Sequence, residues 1–174
     1  MNDPGLKRLL QRLNTSLAKD DLVQEVTNKL RKQLNVDRVV LYYFYRQWEG
    51  RVTFESLSSK EYSILGCTGP DECFNHEYAA LYKNGRVNAI AELEQANIAD
   101  CHRQFLQQMQ VKANLVVPVQ TATGLWGLLI AHHCQNSFDW TDEHIAMMQT
   151  GANTLISSKA ISGHIPKTAQ IKNE

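Results

Sequence analysis

Two apolar runs late in the chain constrain the fold most: Ala113-Asn-Leu-Val-Val-Pro-Val119 and Leu125-Trp-Gly-Leu-Leu-Ile-Ala-His132, separated by Thr121-Ala-Thr-Gly124. Apolar and β-branched residues at this density, broken by a polar, glycine-ended turn, predict two strands in a hairpin. Pro118 has no amide proton to give a ladder, so part of the first strand belongs at an outer or bulged position. The aromatic and β-branched run Arg38-Val-Val-Leu-Tyr-Tyr-Phe-Tyr45, a turn over Gln47 to Gly50 and a strand from Arg51 to Leu57 predict a second hairpin.

Helical spacing surrounds these strands. Leu6, Leu9, Leu10, Leu13 and Leu17 share a face, and the pattern restarts with Leu22, Val23, Val26, Leu30 and Leu34. Asp21 as N-cap with Gln24 three residues on has capping-box spacing, and Asn35 is the stop. A short helix is expected over His76 to Lys83, a short strand over Arg86 to Ile90, and a helix from about Asn97–Asp100 to Gln110. Thr141, followed by Asp142 and Glu143, starts a last helix running through Leu155 towards Ile161. The order predicts an α+β domain, an antiparallel sheet of five or six strands with helices packed on its faces. Residues 1–20 form an N-terminal helix, 21–162 the domain proper and 163–174 a polar tail. Residues 58–73 follow neither period, and a loop that long in a compact domain points to function.

Equal numbers of basic and acidic residues, 18 of each, argue against binding to nucleic acid or an anionic membrane. The N-terminus lacks a basic-then-apolar leader and no run approaches a bilayer span, so the chain is read as cytosolic. Four cysteines are too sparse for a disulfide framework, which leaves each as a reactive thiol or a small buried residue.

Cys101 and His102 open a predicted helix. Neighbours on a helix do not face each other, so they make a poor protease-type dyad. A helix N-terminus does favour a thiolate, and Cys101 is either an activated thiol or a small residue packing a helix start. In Asp71-Glu-Cys-Phe74 the acidic neighbour disfavours a permanent thiolate, so Cys73 suits reversible addition or is a solvated loop cysteine. His132-His133-Cys134 and Cys101-His102 supply metal-ligand types without metal-ligand spacing, so no metal is expected. His132 and Trp126 both sit where core residues are common.

Together these features resemble the bilin-binding GAF domains of cyanobacterial photoreceptors, the cyanobacteriochromes. The resemblance runs from about Leu22 to Ile161 and rests on Cys101-His102, on Val111-Lys-Ala-Asn-Leu-Val-Val-Pro118, and on Leu125 to His132. Asp71-Glu-Cys-Phe74 is similar to the DXCF motif of a dual-cysteine subfamily.

The resemblance implies a linear tetrapyrrole, phycocyanobilin or its isomer phycoviolobilin, joined through a thioether to Cys101. It places His102, His132, Asp71, Phe74, Asn114 and Trp126 among the pigment's contacts, with Cys73 adding reversibly to the central methine bridge. The implied function is a photoswitch between a violet- or blue-absorbing state and a green-to-orange state, with Z/E isomerisation between rings C and D. His133 stands where many relatives carry glutamine, and Cys67 adds a third thiol. Bilin attachment is self-modification, so no enzyme is expected. Partners are the pigment, a second copy through the terminal helices, and an output module outside this chain. The alternative is a GAF domain that binds another small ligand or only dimerises.

Overall fold

The computed structural model describes residues 3–46, 48–69 and 76–164. Helix α1 (Pro4–Lys19) begins behind Asp3, whose carboxylate accepts from the amides of Gly5 and Leu6, with Pro4 at the first helical position, where no amide proton is needed. Helix α2 (Asp21–Leu34) is capped by Asp20 and not by Asp21. Asp20 has the extended backbone an N-cap needs, and its Oδ1 accepts from Leu22 N at 3.1 Å and Val23 N at 3.2 Å. Asp21 is the first helical residue, where its charge suits the helix dipole, and Gln24 donates to the Ala18 carbonyl, so no capping box forms. Asn35 ends α2 in the left-handed region (φ 52°) as the sequence predicts.

The strands are β1 (Arg38–Arg46), β2 (Glu49–Leu57), β3 (Asn88–Ile90), β4 (Ala113–Thr121) and β5 (Gly124–His133). They form one antiparallel sheet in the order β2-β1-β5-β4-β3, within the predicted range of five or six strands. Strand β3 pairs only with Asn114 to Val116, so Pro118 lies on the stretch of β4 that β3 does not reach. The remaining helices are α3 (His76–Lys83), α4 (Asp100–Gln108), α5 (Asp142–Leu155) and α6 (Lys159–Ser162). Thr141 caps α5, and its capping-box partner is the His144 ring. The last helix is shorter than expected. It stops at Leu155, and Ser158 starts α6 because the Asp20 carboxylate, far away in sequence, holds Ser158 and the amide of Ala160.

Side-chain alternation divides the sheet into two apolar faces. On one, Val39, Leu41, Tyr43, Leu115, Val117, Leu129 and Ala131 pack with Leu13, Leu17 and Leu34 of α1 and α2 and with Met148 and Leu155 of α5. On the other, Val40, Tyr42, Phe44, Val116 and Leu128 pack with Val52, Ile64 and Tyr82. The central strands β1 and β5 are therefore buried on both sides, which explains their near-continuous apolar runs.

One irregularity alters the faces. The β4–β5 register jumps between Val119↔Gly127 and Gln120↔Leu125, leaving Trp126 as a bulged residue. Gly127 is required beside it, because a Cβ there would lie 2.0 Å from the Tyr42 carbonyl oxygen of β1. Among the described residues, no helix is long and apolar enough to cross a membrane.

Candidate functional site

The second face of the sheet carries a cavity with about 530 Å³ of space between its walls, part of it open to solvent. Its floor is Val40 and Tyr42 of β1, Asn114 and Val116 of β4, and Leu128, Ile130 and His132 of β5. Its walls come from α4 (His102, Phe105, Leu106), from Met109, from Tyr82 of α3, and from Ile64 and Cys67 in the segment after β2. That segment is an ordered part of the long loop. Val52 N donates to the Cys67 carbonyl at 2.9 Å and Gly66 N to the Val52 carbonyl at 2.9 Å, so the chain runs along the outer edge of β2. A largely apolar lining with a few placed polar groups is the usual make-up of a small-molecule site.

The polar groups on the floor are distinctive. Asn114 and His132 stand directly opposite each other across β4 and β5, each about 2% exposed. Asn114 Oδ1 is buried and has no hydrogen-bond partner among the described residues. An unsatisfied buried acceptor is costly, of order 1–3 kcal/mol, so it marks a place where a donor belongs.

His132 Nδ1 lies 2.9 Å from Arg38 Nε and accepts a hydrogen bond from its N–H. Burial, and then the Arg38 charge, holds the imidazole well below its ordinary pKa, so it is neutral at physiological pH. With Nδ1 occupied, Nε2–H is the donor left for a ligand.

Arg38 itself is 1% exposed. Nη1 donates to the Tyr62 carbonyl at 2.7 Å and Nη2 to the Met109 carbonyl. Burial lowers its pKa, although the nearby Cys134, Glu55, Cys67 and Asp37 oppose that effect.

Helix α4 presents the Cys-His pair as the sequence reading required. Cys101 is exposed in the first turn, behind Ala99, which offers no side-chain cap, while His102 is buried at 7% exposure and lines the cavity. Burial, and secondarily the Arg86 charge, lowers the His102 pKa, so this ring too favours its neutral form.

Trp126 leaves the set of cavity residues. The bulge turns it to the helix-covered face, where it is fully buried with its ring centroid 5.1 Å from that of Tyr43. Asp71, Cys73 and Phe74 lie outside the described residues. His133 stacks on Phe138 at 4.5 Å and does not line the cavity. Burial, joined by Asp37 and opposed by Arg38, pushes the Cys134 thiol up to about 11, which suits a structural residue. Among the described residues, no three His, Cys, Asp or Glu side chains group to hold a metal.

Sequence reasoning missed Arg38, Tyr82 and Met109 as parts of the site. An arginine opening an otherwise apolar strand was the available signal for the first. Tyr82 and Met109 carry none, because only the packing of α3 and α4 over the sheet brings them there.

Residues 19–157 match the GAF domain model. The chain belongs to the GAF family. It is 45% identical over 155 residues to an uncharacterised protein of Picosynechococcus sp., covering 89% of this chain and 95% of that one. It also matches the blue-light-absorbing form of the Thermosynechococcus elongatus PixJ GAF domain, a cyanobacteriochrome, with a TM-score of 0.71 and 30% identity over 83% of this chain and 87% of that one. The phycocyanobilin-bound GAF domain of a cyanobacterial phytochrome has the same fold, with a TM-score of 0.69 and 24% identity over 91% of this chain and 93% of that one.

Proposed function

We propose that this GAF domain is a photosensor that holds a linear tetrapyrrole, phycocyanobilin or phycoviolobilin, in the cavity between β4, β5 and α4. The observation that carries the reading is the facing pair on the cavity floor, the unpartnered Asn114 Oδ1 and the His132 ring whose free donor is Nε2–H. An acceptor beside a donor in an apolar cavity matches the N–H and C=O edge of a terminal lactam ring, which each end of a linear tetrapyrrole offers. The likeness to the PixJ domain and the Cys101-His102 motif support the same ligand class.

When bound, such a pigment supplies light absorption and a double bond between rings C and D that isomerises. The chain's residues do the rest. Cys101, in the uncapped first turn of α4, is disulfide-bonded in this structure; once a thiol reductant has returned it to the thiol, it adds its S–H across the exocyclic double bond of the ring A side chain. One C–S bond forms, the C=C π bond is lost, and the thiol proton ends on the adjacent carbon, so no oxidant is needed. His102 packs against the tetrapyrrole or its propionates, and Asp71 accepts from pyrrole N–H groups. Cys73 adds reversibly at the central methine bridge, its sulfur taking the carbon and its proton going to a ring nitrogen. That addition divides the conjugation and gives a violet- or blue-absorbing state; its loss restores a longer-wavelength one. These are self-modifications without turnover. The clasp of α1, α2 and α6 at Asp20 makes the terminal helices the natural route for coupling to an output module or a second copy.

The test is purification from cells making phycocyanobilin, absorbance before and after illumination, and denaturing electrophoresis with zinc fluorescence. A covalent band and a reversible shift are expected. Cys101→Ala loses the band, and Cys73→Ala keeps pigment but loses the short-wavelength state. A colourless chain refutes the reading and leaves a GAF domain for another ligand or for dimerisation.

A further inference from the structure

We propose that Arg38 is the positioning residue of this cavity: it locks His132 as the neutral imidazole with its proton on Nε2, so that the wall presents a hydrogen-bond donor beside the Asn114 acceptor. The ligand named in the second half rests on the bilin reading; the lock does not.

The argument is one of donors and acceptors. A guanidinium has five N–H donors, no acceptor, and does not lose its proton in a protein. The Arg38 Nε–H that meets His132 Nδ1 at 2.9 Å therefore leaves Nδ1 only the acceptor role. A neutral imidazole with Nδ1 accepting must carry its proton on Nε2. Protonating both nitrogens would set two N–H groups against each other and two cations side by side in a buried space.

Arg38 cannot turn aside to relieve this, because its other nitrogens are tied to the Tyr62 and Met109 carbonyls. These carbonyls belong to the segment after β2 and to the end of α4, so one side chain braces three walls around the ring. The titratable groups that bear on Arg38 are Asp37 and Cys134, Glu55 of β2 and Cys67 of the edge segment, while His132 is governed by its burial and, among the described residues, by the charge of Arg38. Without Arg38, the proton is free to move to Nδ1. Nε2 then becomes an acceptor facing whatever carbonyl the cavity holds, and the pairing turns repulsive.

The experiment starts with the colourless chain, uniformly labelled with ¹⁵N-histidine. Long-range ¹H–¹⁵N correlation spectra distinguish the tautomers, and His132 is assigned by the signal lost in His132→Gln. The expected result is a single Nε2–H pattern, unchanged across the range of about pH 5–8 in which an ordinary histidine titrates. An Nδ1–H pattern, or titration within that range, overturns the lock whether or not any pigment binds.

Arg38→Met, which offers Nδ1 no donor, should lose the single pattern. In the pigmented protein it should make absorbance depend on pH where wild type is flat, with the zinc-fluorescent band at Cys101 retained. Arg38→Lys, which can still donate to Nδ1, should restore the wild-type pattern. If Arg38→Met keeps the wild-type tautomer and spectrum, the proposal fails; if Arg38→Met does not fold, the wild-type tautomer decides. A chain that takes up no pigment but shows the Nε2–H pattern sinks the bilin reading and leaves the lock standing.

Discussion

Asp20 stands at the joint between α1 and α2, and its two carboxylate oxygens do separate jobs. Oδ1 caps α2 through Leu22 N at 3.1 Å and Val23 N at 3.2 Å, while Oδ2 holds α6 through Ser158 Oγ at 2.7 Å and Ala160 N at 3.2 Å. Truncating an N-cap to alanine costs about 1 kcal/mol. Losing hydrogen bonds to a charged acceptor costs about 1.5–3 kcal/mol, taken here at the low end because Asp20 is partly exposed to solvent. Asp20→Ala should therefore destabilise the domain by about 2–3 kcal/mol. Asp20→Asn keeps a good cap oxygen but offers N–H groups to Ser158 and Ala160, and should cost about 1–2 kcal/mol. For a domain of this size the alanine variant should melt about 4–12 °C lower.

The pH dependence follows from the same contacts. Burial opposes the charge, but the bonds from Ser158, Ala160, Val23 and Leu22 outweigh it and hold the carboxyl below its ordinary value of 3.8. A lowered folded pKa means the contribution is complete above the unfolded value and is lost as pH falls through the folded one. Thermal melts followed by circular dichroism should show a constant gap between wild type and Asp20→Ala from about pH 7 to 5, closing towards about pH 3. Equal melting temperatures, or a gap that widens in acid, refute the reasoning.

Gly127→Ala should cost at least about 3 kcal/mol in urea denaturation, or prevent soluble expression, because the clash at 2.0 Å is with backbone and cannot relax by a rotamer change. Asn114→Leu removes a buried unsatisfied oxygen, so it should raise the stability of the colourless chain by about 1 kcal/mol while altering the pigment's absorbance; a loss of stability speaks against an unpartnered acceptor. Trp126→Phe should shift no pigment band and cost less than a typical large-to-small core change, because the indole N–H has no partner among the described residues and the ring lies across the sheet from the cavity. A spectral shift in that variant restores Trp126 to the site. Cys134 should resist alkylation in the native chain near neutral pH and react on unfolding, since its thiol is buried with a pKa of about 11; mass spectrometry of iodoacetamide-treated protein reads this directly.

Much of the fold was legible. Strand and helix positions follow from apolar spacing, and Asn35 and Thr141 mark helix ends by local chemistry. The errors have a common cause. Asp20 takes the cap from Asp21, and α5 stops short of Ile161, because one carboxylate bridges residues far apart in sequence. The site divides in the same way: the Cys101-His102 motif sits on α4 as read, and Asn114 and His132 line the cavity, but Trp126 does not.

The residues by themselves determined the two hairpins, the flanking helices and the family to which they belong, because hydrophobic period and turn chemistry act over a few neighbouring residues. Which face each side chain occupies needed the tertiary structure. A one-residue bulge at Trp126 flips its side chain across the sheet, and no periodicity in the sequence announces a slip that is set by the partner strand. The same holds for Arg38, which reads as an ordinary strand-opening cation until β5, the Tyr62 carbonyl and Met109 converge on it. Hydrogen-bond partners so far apart in sequence exist only once the chain has closed around them.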